Sequence, residues 1–370
     1  MNILGFNPSH HGSVCLLQDG KIKHFIQEER VGNRQKYIDS PFTSFIDILL
    51  EYKIDIIAWG APSIKYNLSN RSTMPYWHIL ASSYSPKVSS YDFSNEHHLT
   101  HVSHAFYNSG FKKSIGVIID GLGSEANEDP LRETETIFYC SQPGGFKVIY
   151  KNIINTFKQI NLSRAYETIT MHLGWGNNEA GKTMGLAPYG KPNPILSNFF
   201  IDGIGNPDIF VYDEINSNQW ADWSATSKKL FIDEEKNPQL KLQRDPKEWH
   251  HDESRITNLE KDLAWQIQND TQQIVGNYIE TAIKETGLKQ VCCAGGYFLN
   301  CVTNYYLVKR FPDVEFYFEP IANDAGTAIG AAKLVWYQST QDTTIHPFKS
   351  LYLGKQYSKD ELLEGIKKYI

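Results

Sequence analysis

Four of the chain's 12 histidines fall within eight positions of the stretch NEHHLTHVSHAFYNSGF, residues 95–111. His97 and His101 are four apart, and His104 lies three further on. At about 100° per residue, a four-residue step leaves two side chains on one helical face. Two imidazoles so placed can share one metal ion if acidic ligands converge from elsewhere; the competing reading is a polar helical surface. Two aspartates are candidates to converge. Asp120 ends the apolar run IGVIID, and Asp324 follows VEFYFEP in IANDAG, ahead of a helical stretch. Both sit at the carboxyl ends of predicted strands, where α/β folds place their ligands. Turn formation or helix capping is the plain alternative for each. Two imidazoles and two carboxylates together form a donor set that suits iron, manganese or zinc.

Three glycine-bearing stretches adjoin predicted core elements: DGLGSE (120–125), EAGKTMGLAPYG (179–190) and AGGYFLN (294–300). Glycine lets the backbone approach a phosphate closely, so that free N–H groups can bind it, and Lys182 would add a positive charge. Each stretch alone reads equally well as a turn. The three together favour a nucleotide cleft. The string GNNEAGKT (176–183) matches GxxxxGK[ST] but follows helical text and not a strand, and there is no strand–GxGxxG–helix, which argues against P-loop and Rossmann readings.

The elements that must position these residues are legible in outline. NILGFN is a short apolar strand, and SVCLLQDGKIKHFIQ reads as two strands about an Asp-Gly hairpin turn. In SPFTSFIDILLEYK, Ser40 is the expected N-cap and Pro41 the first helical residue, and DIIAWG is the next buried strand. A similar order begins at 115–151, followed by helical text at 163–173. This predicts a duplicated α/β fold with a ligand cleft between the halves, which we place at residues 1–110 and 111–350. Residues 191–257 read as a polar, irregular insertion over the cleft, a lid or acceptor-recognition region. His250 and His251 lie in it, either as solvated surface or as site residues. Residues 258–286 form a long amphipathic helix with Gly287 as its C-cap. QVCCAGG and VEFYFEP are strands, and DAGTAIGAAKLVWYQ opens a last core helix. The aromatic stretches MPYWHILASSYSP (74–86) and NQWADWSATSKKLF (218–231) could line an acceptor pocket or simply pack.

Bulk properties narrow the function classes. The 370 residues carry a net charge of −6, so there is no global basic footprint for nucleic acid. The N-terminus lacks the charged and apolar regions of a signal peptide, and no apolar run is long enough to span a membrane. Five cysteines, with no CxxC pair, predict buried free thiols and a reducing, cytoplasmic location.

Five stretches occur in an order that resembles one family: HHLTHVSHAFYNSGF, DGLGSE, EAGKTMGLAPYG, AGGYFLNCVTN and NDAGTAIGAA. The family is that of the O-carbamoyltransferases of the nodulation and antibiotic-biosynthesis (NodU/CmcH) type. The start, GFNPSHHGSVCLLQDGKIKHFIQEER, is similar to that family's N-terminus as well. The resemblance covers nearly the whole chain. It implies an actin/Hsp70-like (ASKHA, ribonuclease H-like) duplicated domain, shared with the tRNA threonylcarbamoyl-transfer protein.

The resemblance also implies a chemistry. Carbamoyl phosphate and ATP give carbamoyl-adenylate in a C-terminal YrdC-like domain, and a metal-assisted step in the N-terminal domain passes the carbamoyl group to a hydroxyl of a small molecule. It makes His97, His101, Asp120 and Asp324 the ligands of a divalent metal, Fe2+ first, with Zn2+ or Mn2+ as alternatives. Mg2+ could accompany the nucleotide. It puts the adenylate near Gly123, Ser124, Glu125, Lys182, Gly185, Gly295, Gly296, Asn300 and Asn323. His98 and His104 have no place in the matched pattern and are expected to pack behind the ligands. The acceptor hydroxyl needs a base; His10, in the first strand-turn facing the presumed cleft, is the candidate, and an ordinary turn residue is the alternative. Asp120 is expected to serve catalysis as well as the metal. The family's His-Asp at that turn is His10-His11 here. The text SLYLGKQYSKDELLEGIKKYI resembles the lead into the C-terminal domain, so that domain is expected from elsewhere, as a separate domain or subunit. A homodimer is compatible with this reading. Two other readings stay open: a tRNA threonylcarbamoyl-type transferase, disfavoured by the acidic balance, and a non-catalytic nucleotide-binding partner of the actin/Hsp70 class, which would have no use for a metal quartet.

Overall fold

A computed structural model describes residues 1–31, 40–62, 74–124, 131–156, 158–212, 230–242, 256–354 and 357–367. The first sheet is built from β1 (Asn2–Asn7), β2 (Ser13–Gln18), β3 (Lys21–Gln27), β4 (Ile56–Trp59) and β5 (Ser89–Asp92), in the order β3-β2-β1-β4-β5. β1 pairs antiparallel with β2 and parallel with β4. β1 and β4 are continuous apolar runs because both of their faces are covered. The Asp19-Gly20 turn has φ of 46° and 79°, the left-handed pair that a two-residue hairpin turn requires.

The second sheet repeats this plan. It comprises β6 (Lys113–Ile119), β7 (Leu131–Ser141), β8 (Gly145–Asn155), β13 (Gln290–Ala294) and β14 (Glu315–Phe318), ordered β8-β7-β6-β13-β14. Again the first strand is antiparallel to its hairpin partner and parallel to the fourth. The duplication expected from the element order is therefore present in sheet topology, although the halves share no residue-level repeat.

Helices α1 (Phe42–Glu51) and α2 (Met74–Tyr84) cover the outer face of the first sheet. α1 does not start as expected. Pro41 is its N-cap and offers no side-chain cap. The carboxylate of Glu28 instead accepts from the N–H groups of Thr43 (3.0 Å) and Ser44 (3.0 Å) and from the Ser44 hydroxyl (2.7 Å). An anion that satisfies two orphan donors and faces the helix dipole outcompetes the Ser40 hydroxyl. In α2, Trp77 is fully buried against Phe6 and Phe45, so that aromatic stretch is core and not an acceptor pocket. Residues 218–229 of the other aromatic stretch lie outside the described residues.

Two helices lie between the sheets. α3 (His97–Ser109) follows the first sheet's last strand but packs on the second sheet, through Val102, Ala105 and Phe106 against Ile118, Phe138 and Cys292. α8 (Thr327–Thr340) follows the second sheet's last strand but packs on the first, through Ala328, Ala331 and Leu334 against Ile3, Cys15 and Ala58. Where they cross, Ser103 Oγ donates to the Gly330 carbonyl (2.9 Å), and a methyl group on Gly330 would overlap the Thr100 carbonyl oxygen. α6 (Asn258–Thr286) and α7 (Cys301–Arg310) cover the outer face of the second sheet. α6 has the expected bounds. Thr257 and Glu260 form a capping box at its start, and Gly287 (φ 70°) ends it.

α4 (Leu162–His172) and α5 (Ala180–Leu186) precede the insertion. The insertion is less polar than its text suggests. Two short strand pairs, β9 (Phe200–Ile201) with β10 (Ile204–Gly205) and β11 (Phe210–Tyr212) with β12 (Leu230–Ile232), surround a cluster of Phe199, Ile209, Phe210, Leu230, Ile232 and Leu240. This cluster packs on Ile169 of α4 and on Leu263 and Ile267 of α6. His250 and His251 lie outside the described residues. A final exposed helix, α9, spans Lys359–Lys367. All five cysteines are free; four are buried as expected, and burial pushes the Cys15 thiol up to about 12. Cys301, opening α7, is exposed instead, since a helix end is less covered than a central strand. Among the described residues no helix is long and apolar enough to cross a membrane.

The close α3–α8 crossing leaves no room for a side chain at position 330. Gly330→Val is expected to destabilise the protein by about 1–3 kcal/mol, read as a lower denaturation midpoint in urea. An unchanged midpoint would show that the crossing can open without cost.

Candidate metal centre and its cleft

The first residues of α3 carry the histidines, and the helix start is held from outside. Glu96 at its N-cap makes no side-chain cap. Ser124 Oγ accepts from the His97 N–H (2.9 Å) and donates to the Ser94 carbonyl (3.0 Å). Glu133 Oε1 accepts from the N–H groups of His98 and Ser124 (3.2 Å each), while its Oε2 is paired with Lys151 (2.7 Å). The loop that follows Asp120 thus caps the helix that bears His97. Gly123 belongs to the same device, because a methyl there would strike His98 and Glu133. Gly123 and Ser124, expected near the nucleotide, pack against the start of α3 and do not line the cleft. Glu125 lies outside the described residues.

Asp120 ends β6. Its Oδ1 accepts from the Gly296 N–H (3.1 Å), and its Oδ2 stands 3.4 Å from His97 Nε2. Asp324 follows β14; its carbonyl accepts from Asn7 Nδ2 (2.8 Å) and Thr327 Oγ1 (2.7 Å), which fixes the loop against β1 and α8. Its Oδ1 lies 3.6 Å from His97 Nε2 and 3.5 Å from His101 Nε2. The two Nε2 atoms are 3.1 Å apart. One ligand atom from each of His97, His101, Asp120 and Asp324 lies within 4.8 Å of all the others, and all four residues are buried.

This geometry fits a single cation. Ligand atoms about 2.0–2.2 Å from one ion stand about 3–4 Å from each other. His97 Nδ1 lies 3.1 Å from the Gly60 carbonyl, which can only accept, so that nitrogen carries a proton and leaves the Nε2 lone pair aimed at the two carboxylates. A lone pair facing two anions in a dry site is repulsive unless a cation lies between them. In the metal-free protein that cation is a proton. Burial alone would lower His97, but Asp324 and then Asp120 raise its pKa well above the ordinary histidine value. Burial and Asp324 push Asp120 up, yet His97 and His101 outweigh them and hold it at about 2.

The neighbouring histidines are turned elsewhere. His98 Nδ1 lies 2.8 Å from Thr136 Oγ1, and burial lowers its pKa to about 4. His104 Nε2 lies 3.3 Å from Glu319 Oε1 in a second buried polar group behind the quartet. There Asn108 donates to Glu319 (2.9 Å) and accepts from Lys333 Nζ (2.7 Å). Burial moves Glu319 up to about 7 and Lys333 down to about 8.

A cleft of about 330 Å³ opens over the carboxylates. Of the expected residues, His10, Asp120, Gly296, Asn300, Asn323 and Asp324 line it. His97 and His101 are fully buried beneath. His10 Nε2 is 3.4 Å from Asp324 Oδ2, and its side chain is 56% exposed, open to a substrate. Lys182 and Gly185 do not line the cleft; Lys182 pairs with Glu179 (2.6 Å) towards solvent on the far side of α5. Gly295 is needed for backbone shape, with φ 96° and no room for a Cβ over the Ile119 carbonyl. No described residue of the 191–257 insertion lines the cleft; residues 213–229 and 243–255 lie outside the described residues. The wall comes from α4 and the turn before α5, including Arg164, Tyr166, Glu167 and Asn177. Reading the sequence missed these. Their spacing signals nothing, since Asn161 draws α4 to the site by donating to the carbonyls of Asp120 (3.0 Å) and Gly121 (2.9 Å).

Fold and site together define a duplicated actin/Hsp70-like α/β protein with a buried two-histidine, two-aspartate centre under an interdomain cleft. The chain belongs to the carbamoyltransferase N-terminus family, which matches residues 66–333. It is 26% identical to nodulation protein NolNO of Sinorhizobium fredii, an alignment covering 96% of this chain and 50% of that protein. It is 31% identical to an uncharacterized protein of Synechocystis, over 72% of this chain and 41% of the relative. The chain thus spans half or less of the length of these relatives. Among solved structures, HypF of T. kodakarensis aligns with a TM-score of 0.53 and 12% identity, over 92% of this chain and 48% of that one. At that identity the likeness shows the fold alone.

Divalent-ion titration separates the histidines. His97→Ala and His101→Ala are expected to abolish stoichiometric Co2+ binding, followed by its visible absorption, whereas His98→Ala retains it. Equal loss in all three variants would refute the division.

Proposed function

We propose that this chain is the transfer half of an ATP-dependent O-carbamoyltransferase, which takes the carbamoyl group of carbamoyl-adenylate and delivers it to a hydroxyl of a small molecule. The observation that carries the reading is the convergence of His97, His101, Asp120 and Asp324 at the floor of a polar cleft, in a chain of this family. Formation of the adenylate from carbamoyl phosphate and ATP is assigned to a YrdC-like domain or subunit outside these residues.

The step is an acyl transfer. The acceptor hydroxyl gives its proton to His10 Nδ1, the ring nitrogen not facing Asp324, and its oxygen bonds to the carbamoyl carbon. The carbon–oxygen bond to the adenylate phosphate breaks, and AMP leaves with that electron pair. The carboxylate of Asp324, 3.4 Å from His10 Nε2, orients the ring and stabilises the imidazolium that forms. A divalent ion held by the quartet would supply Lewis-acid polarisation of the carbamoyl oxygen and of the phosphate. Two nitrogen and two oxygen donors suit Fe2+, with Zn2+ and Mn2+ compatible.

The test supplies the chain, loaded with Fe2+ without oxygen, with synthetic carbamoyl-adenylate and a panel of hydroxylated metabolites, and looks by mass spectrometry for a gain of one carbamoyl group. Transfer to at least one metabolite is expected, and His10→Ala should lower its rate by about 10²–10⁴-fold while AMP binding persists. Near-wild-type turnover in that variant removes His10 from the mechanism. Pyrophosphate release from ATP and carbamoyl phosphate by this chain alone would overturn the division of labour.

A further inference from the structure

Among the described residues that line the cleft, Arg164 is the one lysine or arginine. Its side chain is only 12% exposed, an unusual degree of burial for a guanidinium. One acceptor meets it: Glu167 Oε2, 3.4 Å from Nη1 and one turn further along α4. That contact is long and single, where a committed arginine–carboxylate pair is bidentate at about 2.7–2.9 Å. No other hydrogen bond to the guanidinium is present among the described residues, which leaves donors for an incoming acceptor. The preceding residue repeats the feature. Ser163 also lines the cleft, and its Oγ is buried without a hydrogen-bond partner. Buried donors left unmade are costly, and a cleft wall that keeps several of them has an acceptor to bring in.

Their position relative to the quartet is fixed. Asn161 accepts from the Arg164 N–H (2.9 Å) and donates to the carbonyls of Asp120 and Gly121. The backbone that carries Arg164 is therefore tied directly to the loop that carries a candidate metal ligand. Lys182, the charge expected for an anion, is occupied by Glu179 outside the cleft.

We infer that Arg164, assisted by the Ser163 hydroxyl, is the anion-recognition point of the cleft and binds the phosphate of a nucleoside monophosphate unit beside the quartet. The inference rests on the proposed function and assigns its donor phosphate to a residue. As the carbon–oxygen bond to that phosphate breaks, negative charge accumulates on the departing oxygen, and a guanidinium that can reach two oxygens at once stabilises it. Glu167 holds the guanidinium until the phosphate arrives.

The test is calorimetric titration of the full chain with AMP and with adenosine at fixed ionic strength. The wild-type chain is expected to bind both, AMP more tightly. Arg164→Ala should weaken AMP binding by about 10- to 100-fold and leave adenosine unchanged. Arg164→Lys keeps the charge and the stem but cannot bind in bidentate fashion, and should lose several-fold for AMP alone. Glu167→Gln frees the guanidinium and should leave AMP binding equal or tighter. Equal AMP affinity in wild type, Arg164→Ala and Arg164→Lys would overturn the inference while leaving the proposed function standing. Parallel loss of adenosine binding in the Arg164→Lys variant would also overturn it, marking a merely structural residue. A wild-type chain that binds neither compound would overturn the nucleotide reading itself, and this assignment with it.

Discussion

Two carboxylates and two imidazoles share one small, largely buried volume at the floor of the cleft, and this constraint organises the centre of the molecule. Like charges so close cannot both remain ionised in a low-dielectric site without a cation among them. His97 accordingly holds its proton far more tightly than an ordinary histidine, and Asp120 stays ionised well below its usual range. The site is therefore primed for positive charge. A divalent ion would satisfy all four ligands at once, where a proton satisfies them in part.

Holding such a group together takes backbone from both halves. The histidines come from the helix that ends the first half, Asp120 from the first strand of the second and Asp324 from its last loop. Each half's final helix crosses to the other's sheet, and the two helices meet closely at Gly330. The capping of α3 by Ser124 and Glu133 then locks the histidine-bearing turn to the loop of Asp120. Neither half contains the site, and neither could close its core alone. The buried group of His104, Glu319, Asn108 and Lys333 adds polar ties between the same helices from behind.

Much of this was legible in the residue order. Strand, hairpin and helix text in the first 60 residues, the bounds of α6 with Gly287 as its stop, and the grouping of two histidines with two distant aspartates all follow from periodicity and from residues at strand ends. Errors arose where long-range contacts displaced local rules. Glu28 displaced Ser40 at the start of α1, a contact 16 residues apart in sequence. In the glycine loop at 120–124, Gly123 makes its close approach to His98 and the start of α3, while Gly121 lines the cleft. The insertion read as polar because its apolar residues are scattered, yet they converge on α4 and α6.

By itself the sequence determined the alternation of elements, the duplicated plan, the family and the identity of the four candidate ligands, since these depend on residue type, order and local spacing. Only the tertiary structure decided which glycines are set by close backbone packing, and that Arg164 and Glu167 form a wall of the cleft. These are matters of direction and of distance between residues tens to hundreds of positions apart. A side chain's chemistry is written in its type, but the partner it meets is set by how the two sheets and their exchanged helices pack.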